Sequence, residues 1–276
     1  MSSLARMLAV LDLFDEDAGI WTAEAIAQQL EISLPTAYRY VRELSAAGLL
    51  RRDAGGTYVL GPRVIELDHR IRVGDPLIIA SREPMRDLAD ETGCDAVLAT
   101  IYGENIVTVH QEAGSQRISA SFGRGRRMPL FRGMMSRNIL SALPRARLKK
   151  LHEAGAGQVR AEPFARDFET LLAEMRRIRR AGYCVTRGEL DPGLIGIGVP
   201  LASPEHRIIA SLGLIIGKQR YAAFDEKRLA TLIRAAADRI IANLPLPGGD
   251  PPAPASRARV ARPVHAKQPQ SALAAD

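Results

Sequence analysis

Cysteine is scarce in this sequence, and long apolar runs are absent. Cys94 and Cys184 are the only cysteines among 276 residues, and they form no Cys-x-x-Cys pair. This argues against a disulfide framework and against a structural zinc site. No apolar stretch approaches the roughly 18–20 residues that span a bilayer, and the first residues lack the pattern of a secretory signal peptide. We therefore expect a cytoplasmic protein with two buried reduced thiols, no bound metal and no membrane partner.

Motifs for catalysis are missing as well. The five histidines are scattered, and none lies in a HExxH motif, a GxSxG motif or a metal-ligand spacing. His110 lies near Glu112, and we interpret this pair as structural rather than as an acid–base pair. The glycine-rich run over 193–198 has the wrong spacing for a nucleotide-binding loop. We therefore expect neither enzymatic activity nor a cofactor.

The first sixty residues carry the most informative pattern. Apolar residues at helical spacing predict a helix over 3–14 and a second helix over 23–30. A three-residue break leads into a third helix over 33–44, and residues 51–59 form a basic hairpin around a Gly-Gly pair. This order is typical of a winged helix-turn-helix, which places one short helix in the major groove of DNA and a β-wing beside it.

The net charge of +7 is unevenly distributed along the sequence. Residues 1–61 hold five arginines and eight acidic residues, whereas residues 77–246 hold 26 basic and 18 acidic residues. Bulk charge alone would therefore assign DNA binding to the wrong half. Four of the five N-terminal arginines, however, fall in the third helix and the wing. Such a local basic face neutralises few phosphates per subunit, which implies a dimer.

Residue types in the third helix suggest separate roles for its two faces. Ser33 can cap the helix and Pro35 suits its first turn, while Ala37, Val41 and Leu44 face the core. On the outer face, Thr36 and Arg39 are expected to reach base edges, because Arg reads guanine through two parallel donors. Phosphate contacts are expected from Tyr38 and Arg42. The candidate DNA-binding residues are Ser33, Leu34, Pro35, Thr36, Tyr38, Arg39, Arg42, Arg51 and Arg52.

After a periodic segment over 63–74, which predicts a linker helix, the pattern alternates between helices and strands. Predicted strands cover 96–102, 105–111, 117–121, 182–186, 194–201 and 208–216, and predicted helices cover 78–92, 134–142, 144–151, 168–181 and 225–244. This indicates an α+β fold with a largely antiparallel sheet. The last residues hold seven of the 17 prolines and few apolar residues of core size, so we expect a disordered tail.

Residues 4–61 resemble the winged helix of IclR-type bacterial transcription regulators, notably in Ile32–Arg39 and Tyr58–Gly61. The resemblance continues through 125–130, Ile139-Leu140, 178–183 and 189–200, and so covers about residues 4–244. It implies a GAF-like α+β domain that binds a small organic acid and forms homodimers or homotetramers. The expected domains are 1–61, the winged helix-turn-helix; 62–75, the linker helix; 76–246, the effector-binding and oligomerisation domain; and 247–276, the tail.

Departures from the family pattern bear on the effector. Pro35 replaces a usual serine before Thr36, the usual Thr-Ala-x-Gly-Lys-Ala run is replaced over 133–138, and Gly213 and Ile215 stand where relatives often place serines. In the family, the loop before the helix at 134–142 meets the effector through backbone N–H groups, and such a helix N-terminus favours a carboxylate.

The candidate effector-binding residues are Met134, Met135, Glu189, Ile197, Gly213 and Ile215. They indicate a rather apolar pocket suited to an aromatic or alkyl carboxylate. Two alternatives stay open: the methionines are core filler, and Glu189 bonds backbone in its turn.

These patterns predict a DNA-binding transcriptional regulator whose operator binding is modulated by a small organic acid. Its partners would be double-stranded operator DNA, the carboxylate effector and further copies of the chain. The alternative is a dimeric architectural DNA-binding protein that responds to no ligand. A sensor should gain melting temperature with its effector, whereas the architectural protein should not.

Overall fold

The fold is described from a computed structural model, which covers residues 2–15, 18–115, 118, 120–121, 123–155 and 162–246. The tail expected to be disordered, 247–276, lies outside the described residues. Residues 1–244 form one compact unit. Contacts between its N-terminal and C-terminal parts are therefore contacts within a single body.

The N-terminal part contains three helices followed by a two-stranded hairpin. Its elements are α1 (Ser3–Ala9), a 3₁₀ turn (Val10–Leu13), α2 (Ala23–Gln29), α3 (Leu34–Ala46), β1 (Leu50–Arg52) and β2 (Tyr58–Leu60). The strands pair antiparallel, and Gly55 and Gly56 adopt the positive φ that their tight connection requires. Ile26, Val41 and Leu44 are among the apolar side chains that the helices bury together. The predicted winged helix-turn-helix is confirmed.

A side chain caps the N-terminus of α2, whereas no side chain caps the N-terminus of α3. Thr22 Oγ1 accepts the backbone N–H of Ala25 at 3.1 Å and so caps α2. The predicted side-chain cap of α3 by Ser33 is wrong. Pro35 offers no N–H, and the N–H of Thr36 donates to the Ser33 carbonyl at 2.9 Å. The Ser33 hydroxyl instead pairs with the Thr36 hydroxyl at 2.8 Å.

A linker helix, α4 (Arg63–Gly74), and a longer helix, α5 (Pro76–Thr92), join the N-terminal part to the rest of the chain. Asp75 separates them and caps α5 by accepting the N–H groups of Leu77 and Ile78. No residue of α4 is buried. The linker helix therefore leaves its apolar side chains, Ile65 and Ile71 among them, on the surface.

The C-terminal part is built on a six-stranded antiparallel sheet in the order β5-β4-β3-β8-β7-β6. Its strands are β3 (Asp95–Tyr102), β4 (Asn105–Glu112), β5 (Arg127–Met128), β6 (Cys184–Arg187), β7 (Leu194–Ser203) and β8 (Ile208–Gly217). Its helices, besides α5, are α6 (Gly133–Ala142), α7 (Arg145–Ala154), α8 (Phe168–Ala181), α9 (Lys218–Tyr221) and α10 (Glu226–Ala242). The predicted α+β class with an antiparallel sheet is confirmed.

Helices cover both faces of this sheet. One face packs against α5 and α10 around Leu212 and Leu214. The other face packs against α6 and α8 around Val97, Met134 and Ile139. Burial on both faces explains why β3, β7 and β8 are nearly continuous apolar runs in the sequence. The two cysteines are buried and free, and burial raises the pKa of the Cys184 thiol to about 12.

One predicted strand, 117–121, is wrong in the residues that can be assessed. Ile118 and Ala120 are in no strand, and Ser121 lies in a turn; Arg117 and Ser119 lie outside the described residues. The edge of the sheet is formed instead by β5, which pairs with Ile106 and Val107 of β4. A two-residue strand is too short to show an alternating pattern, and its pairing depends on a distant partner.

Candidate functional site

Helix α3 separates a buried face from an exposed one, as its sequence predicts. Ala37, Val41 and Leu44 are buried, and Tyr40 joins them. The candidate residues Leu34, Pro35, Tyr38, Arg39 and Arg42 are exposed, as is Ser33, and Thr36 is half-buried. The exposed face thus presents two arginines on a helix that the core beneath it holds in place.

Tyr38 links this helix to α2. Its hydroxyl donates a hydrogen bond to Glu24 Oε1 at 2.7 Å. This bond lowers the pKa of Glu24 and raises the pKa of Tyr38. The phenolic proton is therefore engaged within the domain, and the expected phosphate contact by Tyr38 stays a prediction. What the bond does in this structure is to tie together the two helices of the helix-turn-helix.

The four candidate arginines are weakly held. Arg42 lies 3.1 Å from Glu43 and Arg51 lies 3.8 Å from Asp53, and all four of these side chains are exposed. Exposed ion pairs of this kind contribute little to stability and give way easily. Among the described residues, Arg39 and Arg52 form no ion pair. The guanidinium of Arg39 instead lies 5.5 Å from the ring of Tyr40. These cations are available to an external anion.

A second candidate site is a cavity between the sheet and α6. It contains about 580 Å³ of space between the atoms, part of it open to solvent. Its apolar lining residues are Val97, Ala120, Met128, Met134, Met135, Leu190, Leu194 and Ile215, and its polar ones include Thr108, Gln111, Thr186, Glu189 and Asp191. Four of the six candidate effector residues therefore lie in its wall: Met134, Met135, Glu189 and Ile215.

The other two candidates do not line the cavity. Ile197 is fully buried on the opposite face of the sheet, in the core formed with α5 and α10. Gly213 lies beneath Met134, because a Cβ atom there would overlap the Met134 side chain. Gly196, which pairs with Ile215 across β7 and β8, lines the cavity in place of Ile197. A one-residue error in the register reverses the face to which a side chain points.

Glu189 occupies the N-terminus of α6, the position predicted to hold the carboxylate of an effector. Its Oε2 accepts the backbone N–H of Gly133 at 3.0 Å, and its Oε1 accepts Arg137 Nη2 at 2.7 Å. Glu189 thus bonds backbone, but the backbone of α6 rather than that of its own turn. The backbone N–H of Gly133 is therefore already hydrogen-bonded to the carboxylate of Glu189.

Arg137 is the residue of this site that sequence reasoning missed. Its side chain is only 13% exposed, lies 3.4 Å from Glu174 Oε1 and stacks over the ring of Phe164 at 4.1 Å. Its partners lie on other elements, and no local sequence pattern links them to Arg137. The available signal was a single charged residue within the otherwise apolar and small-residue run over 133–142. Buried arginines are usually paired, and this one holds Glu189 in the cavity wall.

The polar groups of the cavity are suited to binding a small molecule. Asp191 accepts the N–H of Ser121 at 3.0 Å and also its hydroxyl. Thr108, Gln111 and Thr186 add hydroxyl and amide groups to a largely apolar wall. Within the described part of the chain, no three side chains of His, Cys, Asp or Glu form a group that could hold a metal ion. The arrangement can hold a small, partly apolar molecule with a polar end.

His110 and Glu112 form the pair expected from the sequence. His110 Nε2 lies 3.0 Å from Glu112 Oε1, and both side chains are largely buried. Burial lowers the pKa of His110; Glu112 opposes this, while Arg82 and Arg124 add to it. Neither residue lines the cavity.

Comparisons with known proteins cover nearly the whole described chain. Residues 3–54 match the family model described as the IclR helix-turn-helix domain, and residues 73–242 match the model described as Bacterial transcriptional regulator IclR C-terminal. Both are families of transcriptional regulators and not of enzymes. None of the helices in the described ranges has the length and apolar character needed to cross a membrane.

Individual relatives agree with these matches. The Pca regulon regulatory protein of Pseudomonas putida is 29% identical over 241 residues, which cover 86% of this chain and 82% of that protein. An IclR family regulator from Brucella abortus has a TM-score of 0.76 at 20% identity, covering 89% and 93% of the two chains. An IclR homologue from Microbacterium hydrocarbonoxydans, solved in complex with 4-hydroxybenzoate, has a TM-score of 0.70 at 25% identity, covering 88% and 99%.

Proposed function

This chain belongs to the IclR family of bacterial transcriptional regulators, and from that premise we propose that it binds an operator as an oligomer under the control of a small organic acid. The observation that carries the proposal is the presence, within one compact unit, of an exposed arginine face on α3 and a largely apolar cavity between the sheet and α6. The first feature suits DNA, and the second suits a small effector.

Operator recognition is assigned to α3 and the wing. Arg39 and Thr36 read base edges in the major groove, Arg39 through its two parallel donors. Arg42, Arg51 and Arg52 neutralise phosphates and set the register on the duplex. The exposure of these arginines and the weakness of their ion pairs support this assignment. Tyr38 serves as a phosphate contact only if its hydroxyl leaves Glu24, so its main contribution is to brace α3 against α2.

The proposed effector is an aromatic or alkyl carboxylate. Met134, Met135 and Ile215 make one side of the cavity apolar, as most small-molecule pockets are. The homologue complexed with 4-hydroxybenzoate supports an aromatic acid. Because Glu189 already holds the Gly133 N–H, the effector carboxylate competes with Glu189 for that group and for Arg137. Weak binding at this end is offset by burial of the apolar part of the effector.

Oligomerisation is proposed through the exposed apolar side chains of α1 and α4. Leu4 and Leu8 on α1, and Ile65 and Ile71 on α4, are each more than half exposed. Such residues are poorly placed in contact with water and are well suited to a second copy. A dimer built this way presents two copies of α3 to two half-sites. Pairing of dimers into tetramers falls to the C-terminal part of the chain.

Mobility-shift assays test the proposal most directly. The full chain is incubated with DNA from the region upstream of its own gene, with and without a panel of acids that includes 4-hydroxybenzoate, phenylacetate and pyruvate. We expect binding in the nanomolar range at moderate salt and a change in affinity with the aromatic acids. Binding that ignores every acid, together with a melting temperature that none of them raises, would favour the ligand-independent architectural protein.

Oligomeric state is tested by sedimentation of the wild-type chain and of the variant Ile65→Glu. We expect a dimer or tetramer for the wild type and dissociation in the variant, because a charge would be buried in the interface. Glu205→Gln changes an exposed residue away from α1 and α4 and serves as a control. A wild-type monomer at micromolar concentration would contradict the proposal.

A further inference from the structure

A short segment of the C-terminal part touches both the cavity and the DNA-binding part. We call it the coupling segment: Ser121 and Gly123–Met128, the described residues between the turn at 121 and the end of β5. Its last residue, Met128, lines the cavity. Its first residue, Ser121, is held through its N–H and its hydroxyl by Asp191, which also lines the cavity. Both ends of the segment are therefore in contact with the cavity wall.

Two arginines of the same segment reach the N-terminal part of the chain. Arg127 Nη2 lies 2.8 Å from Asp12 Oδ1 in the 3₁₀ turn that follows α1. Arg124 forms an ion pair with Asp68 of the linker helix α4. Successive side chains of a strand point to opposite sides. In β5, Met128 therefore turns toward the cavity while Arg127 turns toward Asp12.

Arg124 is the stronger of the two attachments. Its side chain is 17% exposed, whereas those of Arg127 and Asp12 are both more than half exposed. Arg124 Nε also donates to the carbonyl of Val109 at 2.7 Å, which fixes the guanidinium against β4. Although partial burial works against it, Arg124 and Arg72 together lower the pKa of Asp68. An exposed pair such as Arg127–Asp12 contributes little by comparison.

The interior of the segment is also braced. Arg126 donates to the carbonyl of Ser121, so the two ends of the turn are held together. A displacement of Ser121 would therefore act directly on Arg126. Helices α4 and α5 are also joined by the Arg82 side chain, which donates a hydrogen bond to the Arg72 carbonyl.

We infer that Arg124, assisted by Arg127, is a positioning residue that sets the orientation of the linker helix and the winged helix according to the contents of the cavity. This rests on the proposed function, because it assumes that the cavity takes a ligand and that the winged helix binds DNA. A ligand that shifts Asp191 or Met128 moves the coupling segment. The segment then moves Asp68 and Asp12. Neither arginine needs to touch the ligand or the DNA.

A double-mutant cycle tests this inference without a ligand. Asp191→Asn loosens the cavity end of the segment, and Arg124→Gln removes its attachment to α4. We expect each change alone to alter the dissociation constant for the upstream DNA by threefold or more, in the same direction. Combined, the two changes should alter the dissociation constant no more than Arg124→Gln does, because that variant already lacks the ion pair between the segment and α4. Effects that multiply independently would overturn the inference.

Hydrogen exchange gives a readout that needs neither DNA nor ligand. We expect faster exchange of the backbone amides of α4 in Asp191→Asn and in Arg124→Gln, with partial recovery in Arg124→Lys, which keeps the charge. Arg145→Gln, in an exposed pair with Glu169 on α8, is the matched control and should leave α4 unchanged. Unchanged α4 exchange in both test variants, with melting temperatures close to that of the wild type, would also refute the inference.

Experiments with 4-hydroxybenzoate distinguish failure of this inference from failure of the proposed function. Arg124→Gln should bind 4-hydroxybenzoate within twofold of the wild type by calorimetry, yet lose most of the change in DNA affinity that the acid causes. If the wild type binds neither 4-hydroxybenzoate nor the upstream DNA, the proposed function fails and the inference fails with it, while the exchange experiment still shows whether the segment and α4 are coupled. If both bind and the variant responds like the wild type, the inference alone fails.

Discussion

Arginine is used in opposite ways at the two candidate sites of this protein. On α3 and the wing, Arg42 and Arg51 are exposed and share only exposed ion pairs. Next to the cavity, where Glu189 lines the wall, Arg137 is nearly buried and contacts two carboxylates and an aromatic ring. The first arrangement leaves cations free to meet an external anion, since little is lost when the pair opens. The second uses the cation to hold an internal carboxylate in place, and opening it leaves Glu189 without its cation, while Glu174 keeps Arg177.

The largest expected difference between the surfaces is in stability. Arg137→Met leaves Glu174 and Glu189 without their shared cation in a partly buried site, and should lower the free energy of unfolding by about 3 kcal/mol. Arg42→Met, the matched change on the exposed surface, should shift it by less than about 0.5 kcal/mol. Urea unfolding followed by circular dichroism measures both. Similar losses of unfolding free energy in the two variants would contradict this expected difference.

The next largest difference is in DNA binding, which should depend on the exposed arginines. Arg39→Ala should weaken binding to the operator by about 1–3 kcal/mol, because it removes a base contact, and should affect nonspecific DNA much less. Fluorescence anisotropy with operator and scrambled duplexes at the same salt concentration gives the two values. Equal losses on both duplexes would assign Arg39 to a phosphate. Arg145→Gln serves as a control for the loss of one positive charge elsewhere.

A smaller effect concerns the internal carboxylate of the cavity. Glu189→Gln removes a negative charge that competes with the effector, and should tighten binding of 4-hydroxybenzoate by about tenfold, or about 1.4 kcal/mol. The neutral analogue 4-hydroxybenzamide should gain much less, which makes it the control. Calorimetry on the full chain measures both affinities. If the acid binds more weakly to the variant than to the wild type, Glu189 supports the ligand and does not compete with it.

The smallest expected effect is on the pH dependence of stability, through His110. Its pKa is lowered in the folded protein, chiefly by burial, so the unfolded chain binds the proton more readily. The contribution of His110 is therefore present above its ordinary pKa of about 6.5 and is lost as the pH falls from there toward the lowered value. His110→Gln should flatten the loss of unfolding free energy between pH 7.5 and 5.5. An unchanged slope would show that other groups dominate this range.

Residues of the N-terminal part were more predictable than those of the cavity. The inward positions Ala37, Val41 and Leu44 follow from helical spacing, which acts over a few residues. The Ser33 cap was wrong because Pro35 and the Thr36 hydroxyl changed the local bonding. In the cavity, Met134, Met135 and Ile215 were predicted on family resemblance. Ile197 was assigned to the wrong face, because the sequence does not specify strand register by itself.

The sequence by itself determined that the chain begins with a winged helix-turn-helix and continues as an antiparallel α+β domain. Both follow from periodicity, turn residues and caps, which act between near neighbours in the chain. Only the tertiary structure decided which charges meet. Glu189 and Arg137 lie 52 residues apart, and Arg124 and Asp68 lie 56 residues apart. Such pairs form because packing brings distant elements together, and neither partner carries a local pattern that identifies the other.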